Sequence, residues 1–361
     1  LGEVYGRDLY YNLALSWLGW APMPSFDATH PPLYTALIAA TLSVFGSPNP
    51  LPVLVLQCLF GAGSVLLVRR LGARLLDEKT ARMAALWAAL DPALIFFTPH
   101  LQTETTFVAM ELVFFLGLLA LWEKPLSWRL VVLGLWGGLC VLCRSMFGAY
   151  PAFLFLAVWR AKGFRRALGF CVLLGLGWFA PTGLWTVRNQ LKYGRLVPLS
   201  GQMGWTLYEG FTLDREEVRR RPYEMGEEVK REGIVDMMER GSYFMAKTRA
   251  FVLANPLSAA KIVVGKAFLY WRPWLYDPYS LPQRWVLGSY YVMLFSLAVI
   301  GARTVLSAGV WAPVWALLAY LTAVHSIFFT SVRYRLPLEP FLCLLAAAGA
   351  AVLLGRKGRR A

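Results

Sequence analysis

The sequence predicts an all-α polytopic membrane protein, a helical bundle of about nine spans with helical loops on its outer face. Three observations carry that prediction. The 361 residues are 58% hydrophobic and only 16% charged, far less charge than a soluble domain of this length carries. Apolar runs of nearly spanning length recur at about 51–70, 81–98, 104–122, 129–144, 147–160, 167–187, 284–302, 309–330 and 338–355, against roughly 20 residues for a spanning helix. Basic clusters recur at every second loop: Arg69, Arg70, Arg74, Lys79 and Arg82; Lys124 and Arg129; Arg160, Lys162, Arg165 and Arg166; Arg303; and Arg356, Lys357, Arg359 and Arg360.

Placed inside, as membrane proteins place them, these clusters put the N-terminus outside and the C-terminus in the cytosol. The net charge of +15 then reflects topology, and no nucleic-acid partner is implied. The chain opens without Met in what reads as an outer loop, so an N-terminal membrane span is expected to be missing from it. The apolar run 32–45 starts with prolines and is too short to span. Letting it span would also move Arg69, Arg70 and Arg74 outside.

Residues 1–50 therefore read as one extracytoplasmic loop with two interfacial helices, about 8–18 and 32–45. Residues 51–187 follow as a transmembrane bundle, 188–283 as an extracytoplasmic helical loop, and 284–361 as C-terminal spans with a basic cytosolic tail. Within 188–283, the charge-dense stretch 215–230 reads as a solvated helix. Residues 242–271 read as amphipathic helices broken at Asn255-Pro256. The cysteines Cys58, Cys140, Cys143, Cys171 and Cys343 lie in apolar runs and read as small core residues.

Chemistry-bearing residues gather at the outer ends of the spans. Asp8 precedes Tyr11 and Asn12 at a helix start, where an acid is either a general base or a helix cap. Asp27 sits in a Pro-rich turn and reads as a turn residue. Glu104 opens a span, where an acid is either functional or a favourable charge at the helix dipole. Asp91 and Glu111 fall inside expected spans, where ionisable groups usually face a cavity or a partner.

Arg144, Arg188, Lys192, Arg195, Arg333 and Arg335 lie on the outer side against the positive-inside trend, which suits either an anionic ligand such as a lipid phosphate or pairing with nearby acids. His30, His100 and His325 have no closed metal motif. No cofactor is named outright, no metal ligand is assigned, and a divalent metal held by His30 or His100 with a carboxylate stays open.

These residues sit in segments that resemble, in order, a GT-C glycosyltransferase of the glycosyltransferase family 39 group, which includes protein O-mannosyltransferases and lipid A aminoarabinose transferases. The segments are Asp8-Leu9-Tyr10-Tyr11 with Ala14; Pro31-Pro32-Leu33-Tyr34 and Phe45-Gly46; Glu104-Thr105; Cys143-Arg144; Trp185-Thr186-Val187-Arg188-Asn189; Val197-Pro198-Leu199-Ser200; and Arg333-Tyr334-Arg335-Leu336-Pro337. The resemblance covers essentially the whole chain.

It implies a GT-C-like bundle in the inner (plasma) membrane with its active site on the extracytoplasmic face. An inverting transferase there would move a sugar from a polyprenyl-phosphate donor to a glycan, lipid or protein acceptor. By match, Asp8 and Glu104 are the catalytic candidates. Arg144, Arg188, Lys192, Arg333 and Arg335, with Tyr11, His30 and Tyr34, are the donor-binding candidates. Family members often carry a second acid beside the first; here Leu9 follows Asp8. The rival classes are a transporter or flippase of lipid-linked glycan, for which Asp91 and Glu111 speak, and a surface polysaccharide polymerase or ligase.

Overall fold

In the computed structural model, residues 9–24, 27–213, 215–274, 280–307 and 309–355 are described. Among them the secondary structure is helical, with no strand. Sixteen α-helices follow in order: α1 Leu9–Trp17, α2 Pro32–Phe45, α3 Leu51–Leu75, α4 Glu78–Leu90, α5 Pro92–Phe97, α6 Thr103–Leu121, α7 Arg129–Cys143, α8 Tyr150–Lys162, α9 Phe164–Tyr193, α10 Met203–Gly210, α11 Arg215–Arg231, α12 Met237–Ala254, α13 Pro256–Tyr270, α14 Leu281–Val305, α15 Ala312–Ile327 and α16 Glu339–Leu353. Short 3-10 turns, Gly309–Trp311 and Val332–Leu338, lead into α15 and α16.

Among the described residues six stretches are long and apolar enough to cross a membrane: α3, α6, α9, α14, and α15 and α16 with their leading turns; α12 and α13 taken as one bent span would make a seventh. The other three expected spans do not qualify by length. Residues 81–98 divide into α4 and α5 at Asp91-Pro92, because proline removes a helical donor and clashes with the preceding turn. Asp91 caps the new start by accepting from the backbone N–H of Ala93 and Leu94, both at 2.9 Å, and it takes the Tyr290 hydroxyl at 2.8 Å. The acid expected inside a continuous span is thus a helix cap at a break.

α7 has 15 residues and α8 has 13. α7 instead lies unusually close to α9. A Cβ on Gly134 would sit 2.0 Å from the Leu174 carbonyl oxygen, and one on Gly177 would sit 1.9 Å from that of Val131. Small residues replace the absent hydrophobic drive between helices in lipid by letting backbones approach.

α9 runs beyond the boundary expected at 187 and stops only at Gly194, which takes the left-handed conformation at φ 66°. Arg188 and Lys192 therefore ride on its last turns rather than on a loop. α12 and α13 meet at Asn255-Pro256 and bend by 110°, where the sequence places the break. Met225, Val229 and Phe244, flanked by Trp205 and Tyr208, form a small separate core under α10–α12. The main core is aromatic: Phe147 stacks on Tyr150 at 5.0 Å, with Phe114 and Trp178 against it.

Candidate functional site

α6 and the ends of α7 and of the turn before α16 meet at Glu104. Its first-turn position in α6 is fully buried, at 0% exposure. Oε1 is 3.0 Å from Arg144 Nη1 and accepts a short hydrogen bond from Arg333 Nε. Arg144 follows the last residue of α7 in extended conformation, which turns its side chain out of the helix path. It is 7% exposed, its Nε points at the Met146 sulfur, and its guanidinium lies 5.3 Å from the Tyr334 ring centre.

The pairing leaves binding capacity unused. Glu104 Oε2 and Arg144 Nη1 are buried without a hydrogen-bond partner among the described residues; the 3.0 Å contact of Nη1 with Oε1 is an ion pair without hydrogen-bond alignment. Arg333 is 33% exposed, and among the described residues its hydrogen bond is through Nε. Among the described residues, two guanidiniums stand against one carboxylate, and the unpaired polar atoms there suit a ligand.

The first segment supplies an aromatic wall. Tyr10 of α1 stacks on His30 at 4.5 Å and meets the edge of Tyr34 at 5.3 Å. Burial, then the nearby Glu104 carboxylate, raises the Tyr10 phenol above its ordinary value, so it stays a neutral hydroxyl. Burial, then the Arg333 charge, pushes His30 down to about 4, so its ring is neutral at pH 7. The Tyr34 hydroxyl donates to Gln57, whose amide donates to the carbonyls of Thr98 at 2.8 Å and His100 at 2.6 Å. That relay fixes the turn leading to Glu104. The Tyr11 hydroxyl donates to the Pro48 carbonyl and ties α1 to the chain after α2.

Two other cationic candidates lie in a separate group. Arg188 holds both oxygens of Asp27, at 2.9 and 2.6 Å; Lys192 adds a contact at 2.8 Å, and Tyr193 donates to the same carboxylate. Asp27 is 3% exposed. Burial acts to raise its pKa, but the hydrogen bonds from Arg188, Lys192 and Tyr193 outweigh it and hold the carboxyl well below the usual range. An acid read as an ordinary turn residue is therefore the anchor of residues 27–30 on α9.

Because the folded value lies below the unfolded one, this stabilisation is full above the unfolded carboxylate value of roughly 4 and fades as pH falls toward the folded value. The stability advantage of wild type over Asp27→Asn should be constant from pH 7 to about 5 and shrink below about 4, as read by thermal unfolding across that range.

Arg335 belongs to a third group. It is fully buried, pairs with Glu339 at 3.0 Å, donates to the carbonyls of Tyr270 and Arg272, and lies 4.2 Å from the Tyr291 ring centre. It joins the turn before α16 to the end of α13, and the structure does not bring it to Glu104. Asp8 lies outside the described residues. Among the described residues no three His, Cys, Asp or Glu side chains gather as metal ligands, and Glu104 Oε1 is already held by arginines. These residues do not fit a metal by themselves.

Sequence reasoning placed Tyr334 in a motif but gave it no role; it stacks on His325 at 5.0 Å while lying beside Arg144. Sequence reasoning also missed Lys266, the buried one of the two lysines in the otherwise apolar run of α13.

Residues 29–185 match the family described as dolichyl-phosphate-mannose-protein mannosyltransferase. Among solved structures, the chain is similar to the oligosaccharyltransferase of Archaeoglobus fulgidus in its apo form, with TM-score 0.57 and 15% identity over 96% of this chain and 46% of that one. It is also similar to the archaeal oligosaccharyltransferase AglB from Archaeoglobus fulgidus in complex with an inhibitory peptide and a dolichol-phosphate, with TM-score 0.55 and 15% identity over the same shares. The chain thus spans about half the length of the structures it matches. No curated protein matches it. The helical bundle has the GT-C-like fold of these oligosaccharyltransferases, with six stretches among the described residues long and apolar enough to cross a membrane.

Proposed function

We propose that the chain transfers a sugar from a polyprenyl-phosphate donor to a nucleophilic acceptor at the extracytoplasmic face, with inversion at the anomeric carbon. The observation that carries this reading is the Glu104–Arg144–Arg333 group, whose surplus charge and unused donors face the aromatic wall of Tyr10 and His30. Arg333 and Arg144 hold the donor phosphate. Glu104 fixes both guanidiniums through Oε1, and its free Oε2 accepts from a sugar hydroxyl. Tyr10 and His30 offer a neutral stacked surface for the sugar face.

Asp8 takes the proton from the acceptor hydroxyl or amine as the acceptor's lone pair attacks the anomeric carbon. The bond from that carbon to the phosphate oxygen breaks, and its electron pair leaves with polyprenyl phosphate. That leaving group is an anion already, so it needs cations aimed at it more than a proton donor.

A groove of about 620 Å³ between α3, α4, α5 and α6 takes the donor tail. It is lined by apolar residues such as Val65 and Val108 and by Thr98, Pro99 and Thr105, the last next in sequence to Glu104.

The reading is tested with folded Asp8→Asn protein in a transfer assay that follows release of polyprenyl phosphate. Loss of a general base predicts a drop of about 10²–10⁴-fold in kcat, with the donor KM little changed. Activity equal to wild type removes Asp8 from the mechanism. Release of free polyprenyl phosphate that depends on acceptor also separates transfer from flipping of an intact lipid-linked sugar.

A further inference from the structure

Three rings from three elements stack in one column. Tyr270 ends α13, His325 lies in the last turn of α15, and Tyr334 sits in the turn before α16. The Tyr270 and His325 ring centres are 5.3 Å apart at an interplanar angle of 16°, and those of His325 and Tyr334 are 5.0 Å apart at 10°. Tyr270 and His325 are buried. The Tyr270 hydroxyl donates to the Tyr334 carbonyl at 3.2 Å and ties the two ends of the column together.

Each end of the column meets arginine. The guanidinium carbons of Arg144 and Arg333 lie 5.3 and 5.9 Å from the Tyr334 ring centre, within reach of a cation–π contact. At the other end Arg335 donates to the Tyr270 carbonyl at 3.2 Å and pairs with Glu339 at 3.0 Å. Arg335 is kept away from Glu104, yet it anchors the far end of the stack on which Arg144 and Arg333 rest.

His325 is the middle ring. Its Nδ1 faces the Phe329 carbonyl at 3.2 Å, and because a carbonyl only accepts, Nδ1 carries a proton. Its Nε2 is buried and has no partner among the described residues. What His325 gives the fold is therefore its ring faces and one bond to the turn at Phe329. That turn is fixed from its other side by α10, where a Cβ on Gly210 would lie 2.6 Å from the Phe329 Cα and N.

We infer that the stacked rings of Tyr270, His325 and Tyr334 are a positioning column for Arg144 and Arg333. Through it His325 sets how tightly the pair holds a lipid phosphate, without touching that phosphate. This rests on the transferase reading, which places the donor phosphate at these arginines. Two guanidiniums beside one carboxylate repel each other, so their spacing needs a support besides Glu104. Tyr334 supplies that support from a short connecting turn, the kind of segment in which a ring holds its place only if something packs on it. His325 and Tyr270 do that packing, and preorganised cations are what a departing phosphate requires.

The test uses the full chain in detergent, with farnesyl phosphate and farnesol as probes of equal tails, one with the phosphate and one without. Wild type should bind farnesyl phosphate about 100-fold more tightly than farnesol, the worth of two charge-assisted contacts. His325→Asn keeps an N–H where Nδ1 was but offers no ring, and should cut that preference about tenfold. His325→Phe keeps the ring, drops both nitrogens and removes the orphaned Nε2, and should stay within about threefold of wild type.

In the transfer assay His325→Asn should raise the donor KM about tenfold and leave the acceptor KM unchanged, whereas a loss of folded protein would lower the apparent kcat and leave both KM values intact. Wild-type phosphate preference in His325→Asn, or a loss in His325→Phe as deep as in His325→Asn, overturns the column. If His325→Asn does not fold, Tyr334→Leu takes its place as the variant expected to lose the preference. Wild type binding both probes alike would remove the phosphate from Arg144 and Arg333, and the transferase reading would fall with this inference. A wild-type preference that no column variant alters sinks this inference alone.

Discussion

Arg333→Ala should lower kcat/KM for sugar transfer by about 10²–10³-fold, the usual cost of removing one preorganised donor from a developing anion. Among the described residues, Arg333 is the cation of the Glu104 group whose side chain is partly open and whose hydrogen bond is through Nε, not the terminal nitrogens. It is therefore the group best able to follow a phosphate from bound donor to leaving anion. Arg333→Lys keeps the charge but loses the planar fork, so it should recover only part of the loss. The check is steady-state transfer with purified, folded variants, with released polyprenyl phosphate as the readout. Arg333→Ala at more than half of wild-type kcat/KM would place the phosphate elsewhere, and the Asp27 cluster would be the next place to look.

The second large effect is on stability. Glu104→Ala removes the carboxylate that, among the described residues, lies between two arginines. Arg144 is 7% exposed and would be left buried without its counter-charge, for which the expected loss is about 3–5 kcal/mol. The open side of Arg333 lets water reach it, so the figure belongs mainly to Arg144. Glu104→Gln keeps an acceptor for the guanidiniums and should fall between. Thermal unfolding of the detergent-solubilised variants reads this directly. An unchanged midpoint for Glu104→Ala would mean that packing alone, without the ion pairs, holds α6, α7 and the turn before α16 together.

The two effects separate the roles proposed for the cluster. Loss at Arg333 should fall on activity with the fold retained, while loss at Glu104 should fall on both. The Asp27 cluster is expected to behave differently again. Its arginine and lysine are already paired, so weakening it loosens residues 27–30, which carry His30, and acts on the site through the position of the aromatic wall.

The local features of the fold were legible in the sequence because they depend on neighbours along the chain. Helices over 9–17 and 32–45, the charged helix over 215–231 and the break at Asn255-Pro256 follow from apolar periodicity and from proline. Where the reading went astray, a local rule was outweighed by something local but overlooked. The sequence reading counts Asp91 inside a span although Pro92 follows it, and ends the helix at 187 although no Gly or Pro lies between 187 and Gly194.

What the sequence by itself determined is the class: the apolar runs and the sparse charge mark a membrane protein, and the chain's ordered motifs point to Asp8, Glu104 and a set of five cations, Arg144, Arg188, Lys192, Arg333 and Arg335, without ranking them. What only the tertiary structure decided is which charges share a partner. Six cations near helix ends look alike along the chain, yet Arg144 and Arg333 converge on Glu104, Arg188 and Lys192 on Asp27, Arg195 on Asp236 and Glu239, and Arg335 on Glu339. Each pairing joins residues on different helices or turns, except Arg335 with Glu339, one helical turn apart. In a low-polarity interior the energy of a charge is set by what lies within a few ångströms in space, and sequence spacing does not encode that distance.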